Sequence, residues 1–190
     1  IYTLSLHDAL PIFGRLNADK DSYGVPRSKS IQTTPAHQLA LAAVYYSPLQ
    51  YMYWYDKPSD SQDEPELKFF DDVYTTWDDT KVLQGEVGEF ITIARRKGEE
   101  WFIGSITNNE KRVLSVSLDF LPEGKNYIAE IYTDGDKSVK TRTKVRVSTY
   151  RVSNKTKLNF CLKASGGAAV RLVPDDGNIK SVKNYKQQRL

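Results

Sequence analysis

The chain changes its hydrophobic period partway along. Up to about residue 80 the apolar positions fall in dense or helical groups, whereas from Glu86 onward they recur at every second residue. In the first part, AHQLALAAVYY at residues 36–46 is rich in the helix formers Ala and Leu. Thr33 or Thr34 can cap this helix and Pro35 suits its first turn. Its apolar residues run almost all the way round, which argues for a helix packed between a sheet and neighbouring helices. Ser47-Pro48 ends it, because proline removes a donor and restricts the residue before it. The short aromatic run from Leu49 to Tyr55, LQYMYWY, then predicts a buried strand, and the polar DKPSDSQDEPE a loop. Glu66 to Val73, ELKFFDDV, reads as a short helix with Leu67, Phe69 and Phe70 on a narrow apolar side.

In the second part the candidate strands are EFITIARR, WFIGSIT, RVLSVSL, YIAEIYT, TKVRVSTYRV, KLNFCLK and AAVRLV. They are separated by the turn sequences KGEE, NNEK, PEGKN, DGDK, SNKT and ASGG, a grammar that predicts an antiparallel β-sandwich. Leu114, Val116 and Leu118 share one face, as do Leu158, Phe160 and Leu162, and these faces are the expected core. Cys161 alternates outward. Bases alternate through KTRTKVRVSTYR at residues 140–151, the pattern of an edge strand protected by charge or of a strip that binds glycans or lipid headgroups. The tail beyond Pro174 is charged, lacks a period and is expected to be poorly ordered.

Charge and composition narrow the function classes. The 27 basic and 24 acidic residues nearly cancel, so no strong nucleic-acid field is implied. The longest apolar stretch, Leu39 to Tyr46, falls far short of the roughly 20 residues that cross a bilayer. With one cysteine and two histidines, the chain has no internal disulfide or thiolate cluster and little material for a zinc site or a Ser/His/Asp triad. The first twelve residues, IYTLSLHDALPI, read as the translation of a common sequencing adapter and are set aside from fold reasoning, a natural N-terminal arm being the alternative. On that reading Phe13 is an interior residue of a longer protein.

Three stretches carry a family resemblance: TTPAHQLALAAVYYSPLQ at 33–50, TTWDDTKVLQGEVGEFITIARRKGEEWFIGSITN at 75–108 and LKASGGAAVRL at 162–172. In order and spacing they resemble the end of glycoside hydrolase family 97 proteins. The resemblance implies an α+β fragment: the last strand and helices of a (β/α)8 barrel, followed by an antiparallel β-sandwich of the oligomerisation type. It places barrel elements in residues 13–80, with helix 36–46 covering the barrel, Leu49 to Trp54 as its eighth strand and Glu66 to Val73 as its last helix. The sandwich would occupy residues 81–174 and the polar tail 175–190. For the parent protein it implies an enzyme hydrolysing α-linked glucosides or galactosides, dependent on calcium, and periplasmic or envelope-associated. The family's catalytic and calcium-binding carboxylates lie upstream of the HQLA-type helix, so no catalytic or metal residue is carried over to this sequence.

What remains are residues at the edge of that chemistry. In a (β/α)8 enzyme, strand ends and the loops after them line the pocket, and aromatic rings stack on sugars. Trp54 and Tyr55 therefore become candidate sugar contacts, with Gln50 a further one pointing into the barrel mouth; packing by the same rings of the Tyr51–Tyr55 cluster is the alternative. Asp71-Asp72 and Asp78-Asp79 tempt as paired carboxylates, but adjacent side chains diverge and cannot face one another across a sugar. Asp78 and Asp79 are read as serving a turn, His37 as a capping or packing residue, and Trp77 and Trp101 as packing residues with a possible share in oligomer contacts. The expected partners are an oligosaccharide in the parent and further copies through the sandwich. A carbohydrate-binding or oligomerisation module without catalysis is the second reading.

Overall fold

The computed structural model describes residues 33–50, 64–140, 143–178 and 181–186. Helix α1, Pro35–Val44, begins at the N-cap Thr34, whose side chain accepts a hydrogen bond from the His37 amide. It ends two residues earlier than the composition suggests: Tyr45 is extended and, like Tyr46, exposed. A 3-10 turn, Pro65–Leu67, leads into the short helix α2, Lys68–Asp72. Eight strands follow: β1 Asp79–Glu86, β2 Phe90–Lys97, β3 Glu100–Thr107, β4 Arg112–Ser117, β5 Asn126–Asp134, β6 Val145–Ser153, β7 Lys157–Leu162 and β8 Gly167–Pro174. Seven correspond to the runs of alternating residues. The remaining one, β1, was missed, because DTKVLQGE has few large apolar residues and a bulge between Val82 and Gln84 interrupts its alternation.

Every strand pair is antiparallel. Six strands form one sheet in the order β1-β2-β3-β8-β5-β6, and β4 pairs with β7 to form a second layer. The period-2 reading thus becomes a sandwich of unequal sheets, with α1 and α2 on the far side of the larger one. The strand patterns report this layering. In the second sheet β7 alternates buried positions with exposed or half-buried ones. The central strands β2, β3 and β8 are covered on both faces and carry runs of four or five buried residues.

The core between the sheets holds the predicted Leu114, Val116, Leu118, Leu158, Phe160 and Leu162, joined by Trp101, Ile103, Tyr127, Val170 and Leu172. The opposite face is built differently. On β3 and β8 the residues beneath α1 are Gly104, Gly167 and Ala169, with Gly104 paired to Ala169, and the helix answers with Ala36, Ala40 and Ala43. These helix positions are spaced i, i+4, i+7 and so lie on one side. The approach is close enough that a Cβ on Gly104 would stand 2.5 Å from the Ala40 carbonyl oxygen, and one on Gly167 2.6 Å from the His37 Cα. Around this bed of small residues Phe69, Phe102 and Tyr132 pack edge to face, and Trp77 tilts against Phe102.

Polar side chains lock the helices to the sheet. Arg95 on β2 is only 5% exposed and donates from Nε to the Ala43 carbonyl at 2.6 Å and from Nη2 to the Val44 carbonyl at 2.9 Å. A cation thereby satisfies carbonyls that the helix end leaves unpaired, on the negative end of the helix dipole. For α2, the Arg171 guanidinium bonds Asp72 at 2.7 Å and Glu100 at 2.9 Å, and Lys68 bridges Asp72 and Glu130.

Candidate functional site

Of the predicted sugar contacts, Gln50 lies within the described residues and Trp54 and Tyr55 lie outside them, as does the strand from Tyr51 onward. The start of that predicted strand needs correction. Pro48 and Leu49 form a bend, Gln50 is outside any strand, and Leu49 is 68% exposed instead of buried. The cause is local: the Ser47 hydroxyl donates to the Leu49 carbonyl at 2.6 Å, folding the chain back after Pro48. Gln50 Nε2 donates weakly to the Ala42 and Tyr45 carbonyls, at 3.3 and 3.4 Å, so its amide is turned toward the end of α1.

The paired aspartates are held in structural contacts. Asp72 serves Arg171 and Lys68. Asp78 accepts from the Gly98 amide at 2.7 Å and from Lys97 at 3.2 Å, and these donors hold its carboxyl below the usual range. Asp79 caps the Thr80 amide. Asp78 and Asp79 thus act at the turn that starts the larger sheet, as their sequence position implied. His37 packs: its Nδ1–H donates to the Gly166 carbonyl at 3.1 Å, and burial lowers its pKa, which keeps the ring neutral. Among the described residues no three His, Cys, Asp or Glu side chains converge as a cation site, so they do not fit the calcium implied for the parent.

Two polar features escaped the sequence reading. Glu66 lies in a segment read as a short helix with Leu67, Phe69 and Phe70 on its apolar side, yet it is itself fully buried; the Thr143 hydroxyl donates to its Oε1, while Oε2 has no partner among the described residues. Burial pushes its carboxyl upward. Arg95 looked like one more base in TIARRK. Nothing in the sequence signals that it reaches back about fifty positions to the end of a helix.

A concave surface lies where the two sheets part. The second layer spans two strands, so on one side β6 and β7 border a groove of about 1340 Å³. Residues 182–186 of the tail contribute to its wall. The Arg151 amide donates to the Lys183 carbonyl at 2.9 Å, and the Tyr185 amide donates to the Arg151 carbonyl at 3.0 Å. Tyr185 Oη accepts from the Asn159 amide at 3.0 Å, and its ring stands perpendicular to Tyr150 at 5.3 Å. Cys161, exposed as alternation predicted, lies on the groove wall.

The described residues thus form a β-sandwich of unequal layers with a helix seated on a glycine-and-alanine bed. Residues 76–173, just over half of the chain, match the family model described as glycosyl-hydrolase 97 C-terminal, oligomerisation. A retaining alpha-galactosidase of Bacteroides thetaiotaomicron is 34% identical over 158 residues, covering 82% of this chain and 23% of that protein. A glycoside hydrolase family 97 enzyme from Pseudoalteromonas sp. strain K8, solved with acarbose, is 37% identical with a TM-score of 0.67, over 75% of this chain and 23% of the other. A beta-arabinopyranosidase structure superposes with a TM-score of 0.62 at 24% identity over 83% of this chain and 23% of its own, a likeness of fold. The chain belongs to glycoside hydrolase family 97, to its C-terminal part, and it spans about a quarter of the length of these relatives.

Proposed function

We propose that this chain is the non-catalytic C-terminal end of a glycosidase acting on α-linked galactosides or glucosides, and that its sandwich joins copies of the enzyme. The match of residues 76–173 to a domain described by oligomerisation carries this reading. The relatives that it resembles over most of its own length are glycosidases several times longer. The 158-residue likeness extends well beyond the span of the domain model, which supports assigning residues 13–80 to the end of a (β/α)8 barrel and 81–174 to the sandwich. In that arrangement Gln50, Trp54 and Tyr55 border the sugar-binding end of the barrel, and α1 serves both layers. Calcium belongs to the upstream part of the parent, whose place is the periplasm or envelope.

The chemistry behind the proposal is a division of labour. Glycoside hydrolysis needs two carboxyl groups held on either side of the scissile bond. Asp72, Asp78, Asp79, Glu100 and Glu130 are engaged in helix locks, caps and ion pairs. Purified chain 1–190 should therefore release no nitrophenol from 4-nitrophenyl α-galactoside or α-glucoside, with or without calcium, and should self-associate in sedimentation velocity. Calcium-stimulated turnover would overturn the non-catalytic assignment, and a monomer at all concentrations would overturn the subunit-joining role.

A further inference from the structure

The groove between β6 and β7 concentrates basic side chains. Its wall carries five cations, Arg146, Arg151, Lys163, Lys183 and Lys186, against the two carboxylates Asp134 and Asp136. Arg151 is paired with Asp175, so it adds little to the field of the groove. Arg146 pairs with Asp136 at 2.8 Å, and Lys163 reaches the Gly135 carbonyl. Lys183 and Lys186, which bracket the strapped tail, have no ion-pair partner among the described residues and face the groove with free charges.

We propose that this groove binds an acidic glycan, an oligosaccharide chain bearing uronate carboxylates or sulfate esters. Three features select that class. The cations supply charge-assisted hydrogen bonds to the acidic groups. Asp134 and Asp136 offer acceptor oxygens to sugar hydroxyls. The half-buried rings of Tyr150 and Tyr185 offer apolar surface to the C–H faces of pyranose rings. The groove volume exceeds that of a typical small-molecule site, as an extended chain of sugars requires. A strand from another copy fits less well, because the chain's own tail already occupies the edge of β6 at Arg151 and the edge amide of β7 at Asn159.

The test is calorimetric titration of the 190-residue chain with hexagalacturonate, a sulfated hexasaccharide, maltohexaose and a six-nucleotide oligothymidylate. Saturable binding of either acidic glycan, tighter than that of the other two probes, is expected; the better of the two identifies the acidic group. The variant K183Q/K186Q, with an unchanged melting temperature, should bind about tenfold more weakly, as the loss of two charge-assisted contacts implies. Cys161, the chain's one thiol, is an internal reporter: bound glycan should slow its reaction with a disulfide reagent. Absence of saturable binding to both acidic glycans overturns the proposal, as does equal binding by the double variant or preference for the oligonucleotide. Protection of Cys161 by rising protein concentration alone, together with dimerisation, would instead assign the groove to a second copy.

Discussion

The two faces of the six-stranded sheet solve opposite packing problems. Toward β4 and β7 the sheet presents large residues, Trp101, Ile103, Tyr127 and Leu172, which interdigitate with Leu158, Phe160 and Leu162. Beneath α1 it presents almost nothing, Gly104, Gly167 and Ala169, so that a helix backbone can come down onto the strands. The first face is stabilised by volume and the second by its absence. Single changes should therefore act with opposite sense: truncation damages one face, and enlargement damages the other.

The largest effect is expected where volume is removed. Phe160→Ala, at a side chain 1% exposed, should cost about 3–5 kcal/mol in urea unfolding. A cost under about 1 kcal/mol would show that the second layer is loosely packed. Arg95→Met next tests the link between α1 and the sheet. It keeps the aliphatic stem but leaves the Ala43 and Val44 carbonyls without their buried donor, for a loss of about 2–3 kcal/mol. If α1 were merely resting on the sheet, hydrogen exchange of its last turn would be unchanged; it should instead rise before global unfolding. On the glycine bed, Gly104→Ala adds one methyl group and should still cost about 1–3 kcal/mol, because the nearest atom is the Ala40 carbonyl oxygen rather than a flexible side-chain end. The same substitution at an open strand position would be neutral or mildly stabilising, which makes its sign decisive.

Two smaller predictions concern titration. Glu66 has a raised folded pKa, so its burial costs nothing below the ordinary value of 4.5 and weighs progressively against folding as pH rises through the folded pKa. Glu66→Gln keeps an acceptor for Thr143 and should stabilise the protein at pH 7 by on the order of 1 kcal/mol, a gain that fades toward pH 4. A gain independent of pH would place the carboxyl in contact with water. His37 works in the other direction. Its folded pKa lies below the ordinary 6.5, so stability is complete above that value and declines as pH falls through it. His37→Gln should flatten that decline between about pH 7 and 5, measured as the melting temperature across the range.

The legibility of these features follows the range of the forces behind them. Alternation in RVLSVSL and KLNFCLK identified the inter-sheet core residue by residue, because each side chain there answers to a local period of two. Strand β1 was lost since a bulge and polar composition break that period. The end of α1 ran long by two residues because Tyr45 and Tyr46 continue its apolar composition while Arg95, distant in sequence, terminates its last carbonyls. The candidate sugar contacts were legible only as a strand-end aromatic cluster; ahead of it, the chain bends at Leu49, held by the Ser47 hydroxyl. The groove was half visible, in the alternating bases of KTRTKVRVSTYR; its other cations come from Lys163, just after β7, and the tail, which no local pattern unites with β6.

From its residues alone the chain determined a helical lead followed by a run of short antiparallel strands, an outward Cys161, and, through three motifs, its family. Those properties depend on periodicity, turn chemistry and residue identity, all of which are local. Only the tertiary structure decided that α1 sits on glycine rather than on leucine, that a β2 arginine closes it, that Glu66 is buried, and that the sheets part into a basic groove. Each of these depends on atoms far apart in sequence being brought within a few ångströms, and contacts of that kind leave no period behind.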